Sequence, residues 1–110
     1  MSHLDEQSKE LLSEIQAMGY ESLRYSIFDD HRPSEWETRI EFDPKSEEYE
    51  VYSTMDRASI TGIYRFSRFE DAKIRFFRNL DLTVFRYKQL VKEGRSTPYY
   101  SPLWNDSGSN

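Results

Sequence analysis

The sequence predicts an α+β domain: an N-terminal helix, a four-stranded antiparallel meander, a C-terminal helical region with a break or kink, and an extended aromatic tail. Three observations predict it. Apolar residues recur at helical spacing ahead of Gly19, they recur so again after Ser67, and between those points the pattern alternates with a period of two.

Ser2 is placed to cap the first helix, and Asp5 and Glu6 favour its dipole in the opening turn. Leu4, Leu11, Leu12, Ile15 and Met18 share one side, and Gly19 supplies the left-handed stop. Tyr20 to Phe28 alternates loosely. In Trp36–Phe42 the residues Trp36, Thr38, Ile40 and Phe42 face one way, and Glu37, Arg39 and Glu41 form a charged outer face. Tyr49–Thr54 and Ile60–Phe66 are rich in β-branched and aromatic residues, as strands are. Asp43-Pro44-Lys45-Ser46 is a tight turn, Asp29–Ser34 a longer polar loop, and Met55–Ser59 a connection longer than a hairpin needs. Short links between consecutive strands favour an antiparallel meander.

Ser67-Arg68-Phe69-Glu70 reads as a capping box opening the second helical region. Phe69, Ala72, Phe76, Phe77, Leu80, Val84, Tyr87 and Val91 then keep a helical phase, Phe85 joins the aromatic stripe read as core, and Gly94 closes the helix. One helix over this length would be about 39 Å long, against about 34 Å across a compact domain of this size, which predicts a break near Asn79–Thr83. The tail Pro98–Trp104 carries four large apolar side chains and should dock in extended form. Residues 1–104 thus make one domain, and 105–110 a polar, disordered end.

The absence of cysteine removes disulfides, thiolate–zinc sites and thiol nucleophiles, and fits a reducing compartment. No long apolar run and no leader-like start are visible, so the expected location is cytoplasmic, away from membranes. Net charge is −5, and its distribution is uneven: residues 1–50 carry fourteen Asp/Glu against five Lys/Arg, residues 51–110 six against ten. Lys and Arg interleave with aromatics between Arg65 and Lys92, but as the polar complement of an apolar helix stripe, so direct nucleic-acid binding is not expected.

Asp29, Asp30 and His31 sit together, yet consecutive side chains do not converge on one ion, and the cluster reads as a solvated turn. No phosphate loop, nucleophile elbow or zinc motif occurs. No catalytic residue, cofactor or metal is therefore expected. The feature left over is acidic. Glu37, Glu41, Glu47, Glu48 and Glu50 gather around one hairpin, with Asp29, Asp30 and Glu35 at its other end and Tyr52 as an aromatic anchor among them. Like charges facing one another destabilise a sheet, so their accumulation suggests a surface that steers and holds a basic partner.

Tyr52–Ser59, Gly62–Phe66, Phe69-x-x-Ala72-x-x-x-Phe76 and Tyr99–Trp104 together resemble small bacterial immunity proteins, over roughly residues 20–104. Such proteins are encoded beside polymorphic or contact-dependent toxins and protect the producing cell. The resemblance implies a compact non-catalytic α+β domain whose partner is a cognate toxin, often a basic nuclease. The alternative is a regulatory or adaptor module that forms a homodimer through its sheet or aromatic tail.

Overall fold

The computed structural model describes residues 3–29, 32–58, 60 and 62–105. In chain order it holds α1 (His3–Met18), β1 (Tyr25–Ile27), β2 (Thr38–Asp43), β3 (Glu48–Ser53), a 3-10 turn (Asp56–Ala58), β4 (Tyr64–Phe66), α2 (Phe69–Lys92) and a last helical turn, α3 (Pro102–Asn105). Among these residues no helix is long and apolar enough to cross a membrane.

The period-two stretches form a four-stranded sheet in the order β1-β2-β3-β4. β2, β3 and β4 make the expected antiparallel meander, with Ile40 opposite Val51 and Val51 opposite Tyr64. β1 corrects the expectation, because it runs parallel to β2, with Tyr25 paired to Thr38. A parallel neighbour requires the chain to travel back before re-entering the sheet. The polar connection 28–37 does this, with left-handed backbone at Phe28 (φ 50°) and Trp36 (φ 59°). Trp36 therefore lies in a turn ahead of β2 and not in the strand.

Thr38, Ile40 and Phe42, with Tyr49 and Val51 opposite them, point to the helices. Ile40, Val51, Phe76, Leu80, Leu11 and Ile15 are fully buried in one apolar cluster. Leu12 and Met18, expected on the buried side of α1, stand more than two-fifths exposed. α1 is tied to α2 by Lys73, whose Nζ donates to Glu10 at 2.6 Å and Glu14 at 2.8 Å. Those two hydrogen bonds hold the ammonium's pKa well above its usual range.

α2 is one helix of 24 residues, without the expected break. Its length is about 36 Å, and the molecule accommodates it by being elongated, 47 × 29 × 21 Å. Asp81, inside the stretch where the break is expected, accepts a hydrogen bond from Tyr20 Oη at 2.7 Å. The Thr83 hydroxyl bonds back to the Asn79 carbonyl at 3.0 Å within the continuing helix. The capping box does not form either: Arg68 takes the cap position in extended conformation, and no side chain caps the helix. Both helices stop at the expected glycines, which take left-handed backbone: Gly19 at φ 73° and Gly94 at φ 72°.

The tail docks through Tyr99 and Trp104 but leaves Tyr100 69% exposed, and it ends in the turn α3 instead of remaining extended. Trp104 and Tyr99 meet Tyr87 edge-on, at centroid distances of 4.9 and 6.0 Å. Arg24 covers the other side of the Tyr99 ring at 4.6 Å, and Ser22 and Ser101 share a hydrogen bond of 2.6 Å.

Candidate partner-binding surface

The sheet face turned away from the helices carries Arg39 opposite Tyr52, Glu41 opposite Glu50, Asp43 opposite Glu48, and Arg65 beyond Glu50. This is the charged face the alternation predicts, but its upper part is not in water. Connection 28–37 passes over it: Arg39 Nη2 donates to the Asp29 carbonyl at 3.1 Å, and the Thr54 hydroxyl donates to the Ser34 carbonyl. Arg39 is consequently 1% exposed and Glu37 7%.

A buried guanidinium needs partners for its fork of N–H groups. Nη1 bonds Glu37 and Nε bonds Glu41, both at 2.8 Å. Burial alone would lower the pKa of Arg39, but the bonds from Glu37 and Glu41 outweigh it and raise it further. Tyr52 Oη completes the network by donating to Glu41 at 2.8 Å. Glu50 is held by Arg65 Nε at 3.0 Å. The facing pair Glu41 and Glu50 is thus tolerated because each carboxylate has its own arginine.

The predicted site residues fall into three groups. Glu37, Glu41 and Tyr52 belong to the network around Arg39 and brace the sheet. At one end, the exposed Glu35 accepts the Arg57 backbone N–H at 2.7 Å, and Asp29 binds Arg39 through its carbonyl; Asp30, with His31, lies outside the described residues. At the other end, Glu47, Glu48 and Glu50 surround the β2–β3 hairpin. Glu47 sits in the left-handed position of its four-residue loop (φ 58°) and is exposed. The Lys45 backbone N–H donates to Asp43 Oδ1 at 2.9 Å, which holds that carboxyl below its usual range.

Sequence reasoning missed what surrounds this hairpin. His3 packs edge-on against Phe42, Tyr49 Oη bonds Gln7 at 2.9 Å, and Tyr49 packs on Phe69 at 5.7 Å. The first turns of α1 and α2 therefore stand at the same end as the hairpin tip. Asp5, Glu6, Glu70 and Asp71 join Asp43, Glu47 and Glu48 there, with Lys45, Arg68 and Lys73 (3.8 Å from Glu70) among the nearby cations. First-turn acids were visible as dipole partners, but their meeting is a tertiary fact. The opposite end, where α2 finishes, carries Arg86, Lys88, Lys92 and Arg95.

Near that basic end a cleft of about 340 Å³ opens between β4, the end of β3 and α2, lined among others by Thr54, Tyr64, Arg75, Asn79 and Arg86. Arg75 stacks on the Tyr64 ring at 3.8 Å. Among the described residues no three His, Cys, Asp or Glu side chains are grouped to hold a metal ion.

The acidic network also sets an alkaline limit. Burial, then hydrogen bonding to Glu41, pushes the Tyr52 phenol up to about 12, and burial with the Asp81 bond does the same for Tyr20. An unfolded tyrosine titrates near about 10. The folded chain then keeps protons that the unfolded chain releases, so this stabilisation is complete below about pH 10 and is lost as pH rises towards 12. Urea midpoints should therefore fall steeply between about pH 10 and 12, and Tyr52→Phe should make that fall shallower. An unchanged slope in the variant would exclude Tyr52 as a contributor.

The family model for Imm59, immunity protein 59, matches residues 4–105, nearly the whole described chain. The chain belongs to the immunity protein 59 family. The match spans the hairpin, the Arg39 network and the docked tail alike. No curated protein matches the chain, and no solved structure does. Family membership agrees with the resemblance drawn from Tyr52–Ser59 and the aromatic tail.

Proposed function

We propose that this chain binds a cognate toxin protein and neutralises it through the acidic end formed by the hairpin tip and the first turns of α1 and α2. Membership of an immunity-protein family carries the proposal of a toxin partner. The surface is chosen by charge: among the described residues Glu47 and Glu48 form no ion pair, whereas Glu37, Glu41 and Glu50 each have an arginine. Unpaired carboxylates at one pole give a long-range field that accelerates encounter with a basic surface such as a nuclease substrate groove. In this reading Glu37, Glu41 and Tyr52 act by holding β2 and β3 in place, and Glu47 and Glu48 meet the partner. Asp29 and Glu35, at the other end of β2, would lie outside the contact.

The test uses the toxin encoded beside this gene. Glu47→Lys with Glu48→Lys should slow association at low salt by at least about tenfold, flatten its salt dependence, and leave the thermal melt near that of the parent. Cells producing the toxin should then be rescued less well. Association as fast as the parent's would remove the acidic end as the docking surface.

A further inference from the structure

The face of α2 turned away from the sheet carries Asp71, Ile74, Arg78, Asp81, Phe85 and Lys88, all exposed, with Ile74 66% and Phe85 68% in solvent. Their spacing alternates three and four residues, which keeps one straight seam along a helix, as in a coiled coil. An exposed phenylalanine and isoleucine on one seam mark a contact surface more than a solvated face.

The seam is complementary to itself when reversed. Two antiparallel copies place Asp71 against Lys88, Ile74 against Phe85 and Arg78 against Asp81, and each pairing occurs twice about a twofold axis. A parallel arrangement would set every charge against its like. Among the described residues Asp71, Arg78 and Lys88 form no ion pair, so these charges are available. Asp81 is held towards Tyr20 by one oxygen, at 2.7 Å, which fixes its position on the helix. We propose that α2 is the seam of an antiparallel homodimer. The Asp71–Lys88 stretch is about 26 Å long, so the dimer is a small interface and its association concentration-dependent.

Sedimentation equilibrium of the full chain without partner, from about 10 µM to about 1 mM, should show a monomer–dimer equilibrium. Phe85→Glu should sediment as monomer with an unchanged circular-dichroism melt. Asp71→Lys and Lys88→Asp should each weaken the dimer by at least about tenfold, and the double variant should regain most of that loss. Glu47→Lys with Glu48→Lys should dimerise like the parent, which separates this seam from the toxin-binding reading. A parent monomeric throughout, a Phe85→Glu variant that still dimerises, or a charge-swapped double variant that does not recover would each overturn the proposal and leave the face to solvent or to another protein.

Discussion

Arg39→Met is expected to lower the free energy of unfolding by about 3–5 kcal/mol, because it leaves a buried carboxylate without its counter-charge. Glu37 is 7% exposed. Without Arg39 its side chain retains the Ser34 backbone N–H, at 3.0 Å. Glu41 suffers less, since it keeps Tyr52 Oη and is partly open to water. Lysine is no substitute at 39, because a single ammonium cannot reproduce the fork that reaches Glu37, Glu41 and the Asp29 carbonyl together. Adding Glu37→Gln to Arg39→Met should recover part of the loss by removing the stranded charge, and this recovery separates charge from lost packing. Arg65→Met gives the contrast: with its side chain 59% exposed, its pair with Glu50 should be worth less than about 1 kcal/mol. Urea unfolding at neutral pH measures all four variants. A loss below about 1 kcal/mol for Arg39→Met would show that the network does not brace the sheet.

How far the sequence reveals this network is itself instructive. The alternation of Glu37, Arg39 and Glu41 against Thr38, Ile40 and Phe42 correctly assigns each residue to its face, because the strand period is a backbone property. It does not tell whether the outer face meets water. That depends on the path of connection 28–37, which lays the Asp29 and Ser34 carbonyls over the sheet and forces β1 parallel to β2. Carboxylates that read as a free acidic surface are in part the counter-charges of one buried arginine. The acidic pole has the opposite history: its members lie in three separated segments, and the contacts of His3 with Phe42 and of Tyr49 with Phe69 bring them together. The break placed at Asn79–Thr83 rested on a spherical domain, and an elongated one has room for the whole helix. Residue type alone groups Phe85 with Phe69, Phe76 and Phe77. The helical phase that buries Phe76 and Leu80 turns position 85 to the opposite side, where the side chain stands in solvent.

That phase makes the second large prediction. Phe76→Ala should cost about 3–5 kcal/mol of stability, and Phe85→Ala, measured at concentrations where the chain is monomeric, should change it by no more than about 0.5 kcal/mol. Both are phenylalanines on one helix, so propensity changes equally and only surroundings differ. Phe76 is fully buried and meets Phe77 edge-on at 5.4 Å. It shares its cluster with Ile40, Val51 and Leu80, which α2 presses against the sheet. Its removal opens a cavity between the two layers, where backbone from both sides resists collapse. Phe85 has no such enclosure, and alanine there gains slightly in helix propensity. The pair therefore tests the rotational setting of α2 on the sheet, on which both the buried core and the proposed dimer seam depend. Equal losses in the two variants would mean that the helix is turned from the orientation described, and the seam from Asp71 to Lys88 would then no longer face outward.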